Sequence, residues 1–211
     1  MVQSFLPQTK QRFRPYAWVT TLAQLMADED PCFFAAWLKT QHQLTLPASN
    51  FDSTIHDHMV IERAEVLRKL GYDVAIEEEN SQKVVGKSFD ICIAGRPDIV
   101  AYNDDEIIVE DCKSGRKRPF HYYQVLLYMM LIPHADTTKE KCQGRKLNGR
   151  LIYSDSIEDV PHSMIDQEFI GELHAILQIL TSKDILKPNA SAVNCRYCPL
   201  AGNYCSIKRC D

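Results

Sequence analysis

Apolar positions follow two rhythms along the chain. Residues 17–28 (AWVTTLAQLMAD) and 32–41 (CFFAAWLKTQ) repeat at helical spacing, and Asp30-Pro31 splits them. Residues 53–70 (STIHDHMVIERAEVLRKL) predict a longer amphipathic helix, with Ser53 or Asp52 to cap it and Gly71 just past its end. On a wheel of about 100° per residue, Ile55, Met59, Val60, Val66, Leu67 and Leu70 share one face. The rhythm then changes to that of strands, at 72–77 (YDVAIE), 83–94 (KVVGKSFDICIA), 98–102 (DIVAY) and 106–112 (EIIVEDC). Turn residues separate them at Glu79-Asn80-Ser81, Gly95-Arg96-Pro97 and Asn103-Asp104-Asp105. A helix over 119–132 stops at Pro133, a strand covers 147–153, and an amphipathic helix covers 166–182. This order predicts a mixed α/β sandwich around one sheet.

Composition narrows the picture modestly. The chain has 211 residues, 45% of them hydrophobic, which suits one domain with a substantial core. A net charge of -4 gives no bulk sign of nucleic-acid binding, though a local basic patch is compatible with it. No apolar run approaches the roughly 18 residues of a membrane span, and the N-terminus lacks a signal-peptide core. A cytoplasmic location is therefore expected, where disulfides are disfavoured.

The chemistry concentrates where strand rhythm meets charge. The run from Glu106 ends in Glu110-Asp111-Cys112-Lys113, and charged groups at the end of a buried strand are costly unless paired. Alternation puts Asp111 and Lys113 on one face and Glu110 and Cys112 on the other. An antiparallel return through Asn103-Asp104-Asp105 would bring Asp98 beside Asp111. Two carboxylates and a lysine then converge at one sheet end. Carboxylates hold hard cations such as Mg²⁺ or Mn²⁺. The cation would polarise a phosphate and acidify a bound water, and the lysine would orient that water or stabilise developing charge. A solvated hairpin with a surface Asp-Lys pair is the plain alternative. On the next helix, Gln124 and Tyr128 are spaced i, i+4 and share a face.

Taken in order, Gly95-Arg96-Pro97-Asp98, Asp111-Cys112-Lys113 and Gln124-Val-Leu-Leu-Tyr128 resemble the PD-(D/E)XK nuclease superfamily, in its RecB-like branch with a trailing QxxxY motif. The resemblance implies a restriction-endonuclease-like core, a central mixed sheet flanked by helices. It implies that Asp98 and Asp111 bind metal, helped by the Cys112 carbonyl. Lys113 would be catalytic, and Gln124 and Tyr128 would contact DNA or support the site. Relatives of this branch add a metal-ligating histidine from a helix before the sheet. Here His56 lies among the apolar positions of 53–70, whereas His58 lies with Glu62, Glu65 and Lys69; His56 is preferred and His58 is the alternative. His121 is a further candidate for substrate contact.

Four of the eight cysteines, Cys195, Cys198, Cys205 and Cys210, fall in the last seventeen residues. A CxxC with further cysteines nearby is metal-site spacing for zinc or an iron–sulfur cluster. The fourth ligand is either Cys210 or the distant Cys32. The chain is similar here to CRISPR-associated RecB-like exonucleases and AddB-type nuclease domains. That implies a [4Fe–4S] cluster on Cys32, Cys195, Cys198 and Cys205, with Cys210 and Zn²⁺ as alternatives. Such a clip would close a loop of roughly 160 residues, worth on the order of 4–5 kcal/mol in the chain-entropy model.

Lys113, Arg116, Lys117 and Arg118 follow the second acidic residue closely, with Tyr122 nearby, a combination suited to phosphates and splayed bases. The expectation is a single nuclease domain with three parts. Residues 1–52 form a helical segment carrying Cys32, 53–182 the nuclease core, and 183–211 a cysteine-rich end. It would cut DNA, as an exonuclease on single-stranded ends, with partners in a repair, recombination or CRISPR complex and no membrane. A structure-specific endonuclease and a metal-clipped nucleic-acid-binding adaptor are the rival readings.

Overall fold

In the computed structural model, described over residues 9–29, 32–47, 52–188, 192–196 and 198–205, strands and helices alternate. In chain order they are β1 (Lys10–Gln11), β2 (Tyr16–Trp18), α1 (Val19–Met26), α2 (Phe33–Gln41), β3 (His42–Gln43), α3 (Thr54–Lys69), β4 (Asp73–Ile76), β5 (Gln82–Val85), β6 (Cys92–Gly95), β7 (Ile99–Tyr102), β8 (Glu106–Lys113), α4 (Pro119–Leu131), β9 (Lys146–Tyr153), β10 (Ile157–Val160), α5 (Gln167–Leu180) and α6 (Ala192–Arg196). No helix is long and apolar enough to cross a membrane.

The mixed α/β architecture is that of a restriction-endonuclease-like core, but its strands form three sheets among the described residues rather than the expected one. The central sheet has the order β10-β9-β8-β7-β4, parallel only between β8 and β9. The parallel step is where a helix, α4, makes the crossover. A second sheet, β2-β6-β5, and a small β1-β3 ribbon complete the set. The expected single strand over 83–94 is two strands, β5 and β6, paired antiparallel, because Gly86 to Asp90 turns the chain.

Alternation along the central strands builds two cores. Ile99, Ala101, Ile108, Cys112 and Ile152 face α3 through Val60, Ala64 and Leu67. Val100, Tyr102, Ile107, Val109 and Leu151 face the opposite layer, where α1, α2, α4 and α5 pack. The apolar face read for α3 is therefore partly misplaced. Val60 and Leu67 are buried, but Ile55, Val66 and Leu70 are 69%, 43% and 67% exposed. The buried stripe is turned by about a quarter of the wheel, and it carries His56 and Arg63 inward. A half-exposed helix with apolar residues on two stripes does not reveal which stripe the sheet covers. Gly71 ends α3 at φ +91°, a left-handed stop that favours glycine.

Candidate active site

The hairpin β7–β8 pairs Ile99 with Glu110, so the residue before β7, Asp98, meets Asp111 across the strand ends. Asp98 Oδ2 accepts a hydrogen bond from the Cys112 amide at 2.7 Å, which locks the carboxylate onto β8. His56 reaches the same carboxylate from α3, its Nε2 lying 3.5 Å from Asp98 Oδ1. Asp98 raises the His56 pKa above its ordinary value, against the opposing effect of burial. His58 points elsewhere. It is exposed and lies 3.4 Å from Glu62 one turn along the same helix.

Asp111 is 1% exposed and forms an ion pair with Lys113. Burial and the nearby Asp98 charge push its carboxyl pKa upward, and Lys113 only partly offsets them. Its Oδ2 is the oxygen that meets Lys113, and it takes no other partner among the described residues. A buried carboxylate left in that state is costly. Asp98 and a half-buried imidazole beside it offer donors of the kind a hard divalent cation takes, although the donor atoms that gather within 4.8 Å of one another among the described residues are those of His56, Asp57 and Glu77.

Lys113 is held from the other side. Its Nζ donates to Gln124 Oε1 at 3.2 Å, and Gln124 Nε2 donates to the Tyr128 hydroxyl at 2.9 Å. Burial, and next Asp111, push the Tyr128 pKa far upward, so the phenol stays protonated. Tyr128 packs so tightly on β6 that a Cβ at Gly95 would lie 2.7 Å from its ring. Gln124 and Tyr128 are 6% and 4% exposed, which places them behind the lysine.

Several neighbours were not legible beforehand. Tyr153 pairs in register with Lys113 and so shares its face, and its hydroxyl lies 3.0 Å from His121 Nδ1. His121 is buried, and desolvation, aided by Lys113, pushes its pKa down to about 4, leaving it neutral. Glu77 lies with His56 and Asp57, their donor atoms within 4.8 Å of one another. Glu110, parity-excluded from the site, is 0% exposed and takes a two-point bond from Arg63 at 2.6 and 2.7 Å. Strand alternation foreshadows Tyr153 and Glu110; nothing local in the sequence marks Arg63.

The basic stretch after β8 is exposed, but much of it is paired. Lys117 meets Glu158 at 2.6 Å and Arg118 meets Glu29 at 2.9 Å. Arg116 is exposed, whereas Tyr122 packs partly against the core.

Cys32, Cys195, Cys198 and Cys205 line one cavity of about 30 Å³, with Phe34, Ala35, Leu200 and Ala201 among its other walls. The thiol donors and apolar walls fit a thiophilic metal centre. Cys210 lies outside the described residues.

A family profile of the PD-(D/E)XK nuclease superfamily matches residues 8–206. The chain belongs to the PD-(D/E)XK nuclease superfamily. Its members are nucleases that in general use divalent metal ions. No curated relative matches the chain. The fold is similar to the crystal structure of SSO0001 at 17% identity, over 90% of this chain and 85% of that one, with a TM-score of 0.50. An alkaline exonuclease (LHK-Exo) from Laribacter hongkongensis also aligns, at 14% identity over 78% of this chain and 87% of that one, with a TM-score of 0.41. For this PD-(D/E)XK nuclease, the converging Asp98, Asp111 and Lys113 are the natural place to seek the reacting centre.

Proposed function

We propose that this nuclease is a RecB-like deoxyribonuclease that hydrolyses phosphodiesters at the Asp98–Asp111–Lys113 site, as an exonuclease on single-stranded ends. The observation that carries the reading is the buried Asp111 carboxylate, its Oδ2 held by Lys113 alone among the described residues, across the strand ends from Asp98. Asp98, Asp111, His56 and the Cys112 carbonyl would hold Mg²⁺ or Mn²⁺. When bound, the cation would polarise the scissile phosphate and supply an acidified water. Asp98 is kept in place by the Cys112 amide. Lys113 orients the attacking water and stabilises charge on the phosphoryl oxygens. Gln124 fixes the Lys113 ammonium and is itself fixed by Tyr128, so both act by positioning. Arg116, with Lys117, Arg118 and Tyr122 around it, would steer the strand, and the two paired cations would exchange carboxylates for phosphates.

The same reading makes the four-cysteine cavity the seat of a structural [4Fe–4S] cluster, with zinc as the alternative. The cluster would clip α2 to the C-terminal segment and make residues 1–211 one domain. A place in DNA repair, recombination or a CRISPR complex, in the cytoplasm, goes with it.

The test is Mn²⁺-dependent degradation of linear and circular single-stranded DNA. Shortening of linear strands with circles spared is expected. Cleavage of circles makes the enzyme an endonuclease, and inertness on both returns the lead to a binding adaptor.

A further inference from the structure

The outward face of the β2-β6-β5 sheet carries rings and cations that the catalytic site does not use. In register, Tyr16, Cys92 and Val85 form one row across this face, and Trp18 and Lys83, with the small Ala94 buried between them, the next. The opposite face, with Ala17 and Ile93, is buried in the core. Trp18 is 53% exposed and Val85 49%, while Phe13 in the preceding loop is fully exposed. Large apolar groups displayed this way on a sheet face mark a contact surface. Trp18 and Tyr16 meet edge to face with centroids 5.5 Å apart, which leaves a face of the indole open.

The charge around these rings is positive, although the chain as a whole carries -4. Arg12 sits 5.4 Å over the Tyr16 ring, its Nε buried beneath and without a hydrogen-bond partner among the described residues. Lys83 stands exposed in the Trp18 row, and Arg96 is exposed at the end of β6. Arg14 is engaged by Asp90 at 2.7 Å. Aromatic faces beside cations take unpaired bases and phosphates together. Three strands span only about 10 Å between the outer two, a width that suits one nucleic-acid strand.

The β6 strand leads from the platform toward the candidate site. Trp18 is in register with Ala94, and four residues further along the chain stands Asp98, at most about 13 Å away at strand rise.

We infer that this face, built on Trp18 and Tyr16 with Arg12, Lys83 and Arg96 around them, is a stacking platform that holds single-stranded DNA beside the catalytic carboxylates. The inference rests on the nuclease reading for its choice of DNA, and its test separates the two. The only other tryptophan, Trp37, is 3% exposed and donates its indole N–H to the Ser182 carbonyl, so fluorescence quenching reports Trp18. The whole protein is titrated with a 15-nucleotide oligo(dT) in EDTA, where no cleavage occurs. Saturable quenching is expected, and the fluorescence anisotropy of an end-labelled oligo(dT), a readout that needs no tryptophan, should show Trp18→Ala losing affinity by roughly 5- to 150-fold. Trp18→Tyr should retain most of the affinity, and the exposed Lys83→Glu should weaken binding and flatten its salt dependence. Absence of quenching at saturation, wild-type affinity in Trp18→Ala and Lys83→Glu, or equal quenching by a blunt duplex would overturn the platform. Cleavage with Mn²⁺ but no quenching removes the platform and leaves the nuclease; quenching without cleavage does the reverse.

Discussion

Arg63 is the residue whose loss should be felt most sharply outside the reacting centre. Its guanidinium makes two short bonds to Glu110, which has no solvent exposure, and the nearest other cation is Arg150 Nη1 at 3.5 Å. Removing one partner of a buried pair leaves an uncompensated charge and costs about 3–5 kcal/mol. Arg150 should hold the loss in Arg63→Ala near the lower bound, about 3 kcal/mol. For a domain of this size that lowers Tm by about 6–12 °C. The double change Arg63→Met with Glu110→Leu removes both charges from the interior, and it should recover to within about 1 kcal/mol of wild type. The pair also pins α3 to β8, and His56 lies two turns before Arg63 on the same buried stripe. Arg63→Ala should therefore weaken Mn²⁺ binding as well, measured by electron paramagnetic resonance at a temperature where the fold persists. Urea unfolding followed by circular dichroism gives the stability. An Arg63→Ala protein melting within 2 °C of wild type would refute the reasoning.

Three further outcomes are expected. Gln124→Ala frees the Lys113 ammonium and strips the Tyr128 hydroxyl of a partner, so it should lower cleavage by roughly 10- to 100-fold and stability by about 1–3 kcal/mol; unchanged turnover would show that Lys113 needs no such support. His121 is held neutral with a depressed pKa, so its contribution to stability is complete above about pH 6.5 and is lost as pH falls toward 4. After solvent screening that amounts to about 1–2 kcal/mol; urea midpoints of His121→Phe from pH 4 to 7 should show a shallower acid-side loss than wild type. Cys32→Ser should abolish broad visible absorption in anaerobically purified protein and lower its Tm; a colourless wild type that contains zinc would replace the iron–sulfur assignment.

The geometry of the candidate site was largely legible because it rests on strand parity. Parity alone places Asp111 with Lys113 and sends Glu110 and Cys112 to the α3 side, as the structure has them. The hairpin turn at Asn103 brings Asp98 opposite Asp111, and there Asn103 Oδ1 accepts from the amides of Asp105 and Glu106. What stayed hidden depends on which surface the rest of the chain covers. The α3 helix has apolar residues at two orientations, and only the assembled sheet selects Val60, Ala64 and Leu67 over Ile55 and Leu70. The short strands β1, β2 and β3 are two or three residues long, below the length at which alternation registers. The β2 strand is the costly omission, since its pairing with β6 is what assembles the aromatic face. Alternation foreshadows the face Tyr153 takes, but its approach to His121 is a cross-element contact with no local trace.

The most direct measurement is cleavage of end-labelled single-stranded DNA in Mn²⁺ by wild type, Asp111→Ala and Lys113→Ala, each verified as folded. Wild type should produce a ladder from one end, and each variant should lose roughly 10²- to 10³-fold or more in rate. Wild-type rates in either folded variant would contradict the assignment of the hydrolytic centre to Asp98, Asp111 and Lys113.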